Sequence, residues 1–176
     1  ILLQSCEDKW YALFVMTGEE EKVKERLQYR FRDRKDLRFV LPTRRLRERR
    51  KGIWEYRIKP LFPGYILYNG MLGIDEYYNM KGIPGLFNVL RDRYDPLEIK
   101  EDEIKVIKKL ICDGEIIGTS TLYKTGNKIM VVDGPLVGFE GLIESVDHRK
   151  GRAKVRLNFI GEARLVDLSI NVIRKM

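Results

Sequence analysis

Histidine occurs once in these 176 residues, at His148, and cysteine only twice, at Cys6 and Cys112. A single histidine argues against a histidine-built metal site and leaves general-base chemistry without its usual group. The cysteines lie far apart and in no C-x-x-C pair, so neither a disulfide framework nor a zinc site is expected. Free thiols suit a reducing compartment, here the cytoplasm. No apolar run approaches the length of a membrane span. Ile1–Cys6 is too short for a signal peptide and has no basic start. No glycine-rich phosphate loop or nucleophile elbow is present. Carboxylates are plentiful, but in a basic protein they are usually solvated or paired. The expectation is a binding protein with no catalytic residues, metal or cofactor.

Positive charge is abundant: the net charge is +8 and the pI is near 9.4. Such an excess favours a polyanionic partner, most often nucleic acid. It is concentrated between Pro42 and Pro60, where Arg44, Arg45, Arg47, Arg49, Arg50, Lys51, Arg57 and Lys59 face only Glu48 and Glu55, a net of +6. Lys51-Gly52 is a turn signal between two partly alternating runs, which predicts a basic β-hairpin arm. Trp54 and Tyr56 add stacking surfaces for unpaired bases. Arginine suits phosphate because its planar fork binds two oxygens at once. The arm candidates are therefore Arg44, Arg45, Arg47, Arg49, Arg50, Lys51 and Trp54. The plainer alternative is a solvated hairpin that only confers solubility. Phe62-Pro63-Gly64-Tyr65 follows, with two aromatics around a turn at the entry to an apolar strand.

Elsewhere the order of elements is legible. Lys9–Met16 reads as a buried strand. Thr17 is a candidate cap for a helix over Glu19–Arg32, with Val23, Leu27 and Phe31 on its apolar stripe. Strands are expected at Leu37–Leu41 and Tyr65–Tyr68, a short helix at Ile74–Met80, and a further strand within Ile83–Leu90. Asp95-Pro96 starts the last element, a helix buried through Ile104, Ile107 and Ile111 and with its charges ordered for the dipole. This is an α+β arrangement, an α/β sandwich with helices on a sheet. The glycine- and hydroxyl-rich stretch 112–121 reads as a linker. Short strands then recur at Lys128–Asp133, Gly141–Asp147, Ala153–Phe159, Ala163–Leu168 and Asn171–Arg174, which suggests a small β-barrel. From Leu122 onward ten basic residues face six acidic ones. Arg152, Lys154 and Arg156 alternate with Ala153, Val155 and Leu157, so period two puts the three cations on one outer face.

These pieces, in this order, resemble the NusG family of transcription elongation factors. Trp10-Tyr11-Ala12-Leu13 with Thr17-Gly18 is similar to the family's first strand and turn, and Phe62-Pro63-Gly64-Tyr65 to its most recognisable motif. Ile83-Pro84-Gly85 and Pro96-Leu97 resemble later segments, and Gly126–Gly141 the KOW signature. The resemblance implies an amino-terminal NGN domain over 7–111, a linker over 112–121 and a KOW barrel over 122–176. It further implies a monomer whose NGN domain grips the clamp of the largest RNA polymerase subunit. Trp10, Tyr11, Phe62, Pro63 and Tyr65 fall at or beside those motif positions, although Trp10 and Tyr11 alternate on one strand and one must face inward. The arm would approach the non-template DNA strand. The unusually basic arm and barrel loop point to an operon-specific antiterminator resembling the LoaP-like branch. The barrel would then bind structured RNA through Lys124, Lys128, His148, Arg149, Lys150, Arg152, Lys154, Arg156, Arg164 and Arg174. The alternatives are a general elongation factor whose barrel meets proteins, and a ribosome-associated KOW protein.

Overall fold

The computed structural model describes residues 9–112 and 114–174, with the backbone alone at 174. The readings of Cys6 and of the Ile1–Cys6 segment lie outside the described residues. Backbone proximity divides the chain into two compact units. One comprises the residues up to Pro42 with Phe62–Lys100; the other comprises Thr43–Leu61 with the residues from Glu101 onward. The units are cut differently from the expected 7–111, 112–121 and 122–176, because the hairpin arm and the third helix group with the barrel. No helix of the described residues is long and apolar enough to cross a membrane.

The first unit is a four-stranded sheet with two helices. Its strands are β1 (Trp10–Val15), β2 (Arg38–Val40), β5 (Tyr65–Asn69) and β6 (Leu86–Val89), hydrogen-bonded in the order β2-β5-β1-β6. Its helices are α1 (Glu20–Arg30) and α2 (Ile74–Met80). β1 alternates as expected, and Tyr11, Leu13 and Val15 join Val23, Leu27 and Phe31 of the α1 segment in one core. Thr17 does not cap α1. Glu19 holds the cap position without a side-chain bond, and the buried Glu20 carboxylate accepts from Gly18 N at 2.8 Å and Gly64 N at 2.9 Å. A negative charge is favoured at the positive end of the helix dipole, and here it ties the turn before α1 to the turn before β5. Two short strands, β7 (Arg91–Asp92) and β8 (Asp95–Pro96), pair beyond β6, so Asp95-Pro96 ends a turn instead of starting a helix.

Glu76 begins α2 in the same way, accepting from Gly73 N at 2.9 Å and from Arg34 Nη2 at 3.0 Å. Burial pushes its carboxyl up, but backbone N–H donors and Arg34 outweigh that and leave it below the ordinary value. Arg34 also hydrogen-bonds Asp36 and lowers its pKa to about 2. Both carboxyls are depressed in the folded state, so their stabilisation is present above the ordinary carboxylate range and lost as pH falls through the folded values. Urea melts between about pH 6 and pH 2 should show stability falling on the acid side, and Arg34→Met should flatten that fall, because its folded carboxyls titrate nearer their unfolded values. A superimposable acid limb in the variant would refute this.

The second unit holds β3 (Thr43–Arg50) and β4 (Ile53–Pro60), which form the arm, with α3 (Glu101–Ile111) and the strands that follow it. Lys51 and Gly52 both have positive φ, 48° and 81°, the geometry of a tight hairpin turn. β9 (Ile116–Ile117) lies in the stretch expected to be a linker. It pairs parallel to β3, and Ile117 is buried. Ile117 supplies the apolar surface that packs, while Ile116 stays exposed. The α3 face is Glu103, Ile104, Ile107 and Leu110, with Leu110 in place of the expected Ile111.

The barrel consists of β10 (Ser120–Thr125), β11 (Lys128–Asp133), β12 (Ile143–Asp147), β13 (Arg152–Phe159) and β14 (Glu162–Arg174), in the order β11-β10-β14-β13-β12. Its first strand thus begins inside the expected linker. The two expected final strands are one, because Ser169 and Ile170 remain buried and paired through the polar step.

Candidate functional site

On β1, Trp10, Ala12 and Phe14 share the face opposite the helices, as the strand period requires. Trp10 and Ala12 are buried, whereas Phe14 is 41% exposed. Phe14 lies directly across from Tyr65 on β5, with ring centroids 5.7 Å apart, and its ring is 5.4 Å from Phe87. Phe87 and Met16 are exposed, Pro63 is exposed and Tyr65 is half-buried. This is an aromatic platform at one end of the sheet. Of the five residues first expected to bind a partner helix, Pro63 and Tyr65 belong to it. Trp10, Tyr11 and Phe62 are each at least nine-tenths buried and instead support the sheet. Phe14, Met16 and Phe87 complete the platform without having been singled out in the sequence, although the two-residue period placed Phe14 on one face with Trp10.

Backbone bonds hold the platform. Val15 N donates to Gly64 O and Met16 N to Gly85 O, both at 2.8 Å. Glu20 ties Gly64 to the start of α1. Gly64 and Gly85 have φ of +86° and +85°, and a Cβ on Gly85 would meet Val23 Cγ2 at 2.7 Å. The Phe62–Tyr65 turn is therefore set by its neighbours as well as by its own proline.

The arm has two unlike faces. On one, Arg45, Arg47 and Arg49 stand beside Trp54, Tyr56 and Ile58. The Arg45 guanidinium lies 4.4 Å from the Tyr56 ring centroid, and that of Arg47 lies 4.4 Å from the Trp54 ring centroid. Arg45, Arg49 and Tyr56 are exposed, and Trp54 is at the margin of exposure. Arg45, Arg47, Arg49, Arg50 and Lys51 make no ion pair among the described residues. This face alternates stacking surfaces with uncompensated cations, which suits a single strand of nucleic acid.

The other face carries Arg44, Leu46 and Glu48 with Arg57 and Lys59 across from them. It is packed and ionic. Leu46 is buried, and Glu48 accepts from Lys59 and lies 3.6 Å from Arg57. Lys59, with Arg152 and Arg57 adding, holds the Glu48 carboxyl below its ordinary value. Arg44 turns away from the open face and is half-buried, and Arg50, on the same alternation, is exposed beside the turn.

On the barrel, β13 alternates as expected: Ala153, Val155, Leu157 and Phe159 are buried, and Lys154 and Arg156 are exposed. The three cations of that row each have a carboxylate nearby. Arg152 lies 3.4 Å from Asp167 and 3.8 Å from Glu48, Lys154 lies 3.9 Å from Asp167, and Arg156 lies 2.7 Å from Glu144. Arg164 pairs with Glu162 and lies over Phe159. His148, Arg149, Lys150, Lys124 and Lys128 are exposed. His148, Arg149 and Lys150 share the β12–β13 turn, where Lys150 N donates to Asp147 Oδ1 at 2.9 Å. Lys124 and Lys128 flank the β10–β11 turn. Arg174 pairs with Lys124 through its strand, and its side chain lies outside the described residues.

The family model described as transcription termination factor NusG matches residues 8–108. A curated relative from Rickettsia felis, "Transcription termination/antitermination protein NusG", is 28% identical over 172 residues, covering 95% of this chain and 90% of its own. The protein of the same name from Thermus thermophilus is 27% identical over 180 residues, covering 95% and 98%. A solved structure titled "Domain interaction in Thermotoga maritima NusG" is similar at a TM-score of 0.61 and 26% identity, covering 92% of this chain and 93% of that one.

Proposed function

Because this chain belongs to the NusG family, we propose that it is a transcription antitermination and elongation factor of an operon-specific branch resembling LoaP. It acts in the cytoplasm and has no catalytic role. The aromatic platform of Phe14, Tyr65 and Phe87 receives a helix of the RNA polymerase clamp. Aromatic rings supply large contact area at little entropic cost, which suits a helix laid in an apolar groove. Holding the clamp in one state lowers the paused fraction by population shift. The open face of the arm contacts the non-template strand, and the basic turns of the barrel contact structured RNA, which supplies locus specificity. The observation that carries this reading is the arm's row of uncompensated arginines interleaved with Trp54 and Tyr56.

The test is the affinity of the full chain for structured RNA and for single-stranded DNA across a salt series. Arg45→Ala/Arg47→Ala/Arg49→Ala should weaken DNA binding and flatten the salt dependence by roughly one unit of slope per phosphate contact removed. Arg149→Ala/Lys150→Ala/Lys154→Ala should do the same for RNA. RNA binding that is absent, or insensitive to the barrel substitutions, would sink the RNA assignment and favour a general factor whose barrel meets proteins. One observation favours that second reading: Tyr123 on β10 lies between Met130 on β11 and Ile173 on β14, and the latter two are exposed.

A further inference from the structure

Within the second unit, the first turn of α3 lies beside β13 and the two-residue turn that follows it. The turn has two residues because Phe159 pairs with Glu162. Ile160 and Gly161 both have positive φ, 55° and 71°, as so short a hairpin requires. Isoleucine is β-branched and strongly disfavoured in that region, so the turn persists only where its surroundings hold it. Glu103 of α3 supplies a hold: its Oε1 accepts from Gly161 N at 3.0 Å. Glu103 is 5% exposed, and its Oε2 is buried with no donor among the described residues. An unpartnered carboxylate oxygen is costly in such a place, and the bond to Gly161 keeps the group from turning towards water.

Glu103 lines a cavity of about 60 Å³, with Asp102, Val106, Leu142, Leu157 and Asn158 among its other walls. That is far below the roughly 300–1,000 Å³ of ordinary ligand pockets, so it accepts an end group and not a whole ligand. Charge decides which end group. The cation on the cavity wall, Arg156, is already paired with Glu144 at 2.7 Å. The carboxylates of Asp102 and Glu103 therefore leave a local negative excess in a chain whose net charge is +8. The positive end of the α3 dipole, about half a charge, offsets only part of it. A metal ion shared by the two carboxylates is disfavoured, because neighbouring helix residues do not face each other: Asp102 is exposed and Glu103 buried. Val106, Leu142 and Leu157 suit a methylene stem behind the charge.

We propose that this cleft binds the protonated end of an aliphatic polyamine. The ammonium donates to Glu103 Oε2 and to the side-chain oxygen of Asn158, and its first methylenes lie against Val106 and Leu157. Three rotatable donors on a compact head fit so small a space better than a planar guanidinium. The site does not depend on the nucleic-acid reading.

The test titrates the full chain, isotope-labelled for amide NMR, with putrescine at constant ionic strength. The backbone amide of Gly161 and the side-chain amide of Asn158 should shift saturably. Glu103→Gln keeps the shape of the side chain and an acceptor for Gly161 N but removes the charge. It should weaken putrescine binding about ten- to a hundredfold, the scale of a hydrogen bond to a charged group. Val106→Phe fills the cleft from a half-buried position and should abolish binding while leaving the carboxylate in place. Unchanged amide shifts far from the cleft show that each variant is folded, and if Glu103→Gln unfolds, Val106→Phe decides. Two further probes separate stem from charge: n-butanol has the stem alone, and magnesium chloride the charge alone. Equal shifts with n-butanol would reduce the site to an apolar crevice, and equal shifts with magnesium to general attraction of cations, and either overturns the proposal. So does the absence of a saturable shift at Gly161 and Asn158, or equal binding of putrescine by the parent and a folded variant.

Discussion

Phe14→Asp should weaken binding to RNA polymerase by about 2–4 kcal/mol, some 30- to 1000-fold, the range of a central aromatic anchor in a protein interface. The chain should still fold, because Phe14 is 41% exposed and Phe87 57% exposed, and neither fills the core between sheet and helices. Phe87→Ala should act in the same direction with a smaller effect. Trp10→Ala offers the contrast. Trp10 is 4% exposed, so its truncation should cost roughly 3–5 kcal/mol of stability. Its effect on polymerase affinity should then track the folded fraction. Affinity by interferometry and stability by urea titration, on the same preparations, separate the two kinds of residue. Full-strength polymerase binding by folded Phe14→Asp would show that the platform is not the contact surface.

That contrast also marks how far the sequence could be read. The two-residue period of β1 and the 3.6-residue stripe Val23, Leu27, Phe31 each depend on neighbours in the chain, and both survive in the structure. The turn at Lys51-Gly52 was legible for the same reason, since only local φ matters there. Burial of Trp10 on the sheet face opposite the helices is a tertiary property with no local signature, because an outward aromatic and a covered one share the same strand pattern. The place of Phe87 in the aromatic platform was invisible until the β1–β6 pairing brought it beside Phe14.

The barrel shows the same limit in its charges. Sequence alternation correctly placed Lys154 and Arg156 outward, but a charge count cannot reveal that Glu144 and Asp167 lie beside them on paired strands. Net charge gave the sign of the expected partner, and strand register decides which cations are left for it. On the arm, register leaves Arg45, Arg47 and Arg49 open and turns Arg44 inward. A stretch that reads as uniformly basic is thus divided between an open face and a face packed against the barrel.

Gly134→Ala should be the most damaging single-methyl change in the barrel. Gly134 has φ of +98°, and a Cβ there would stand 2.6 Å from Ser120 Cα, 2.8 Å from Ser120 Oγ and 2.8 Å from Thr119 O. Two of those three are backbone atoms on the approach to and start of β10, so no side-chain rotation relieves the clash. Moving Ser120 also disturbs its hydroxyl, which accepts from the buried Leu136 N at 3.0 Å. The unfavourable φ and the forced displacement together should cost about 3 kcal/mol or more. Gly138→Ala is the control: its φ is +82°, yet nothing lies within 4 Å of the new methyl. It should lose only the conformational part, about 1–2 kcal/mol. Thermal melts of the two variants therefore separate steric from torsional cost. Equal losses would mean that backbone conformation alone demands glycine at position 134. A larger loss in Gly134→Ala would show that the loop carrying Leu136 is pinned by its close approach to β10, and that the barrel's register depends on that approach.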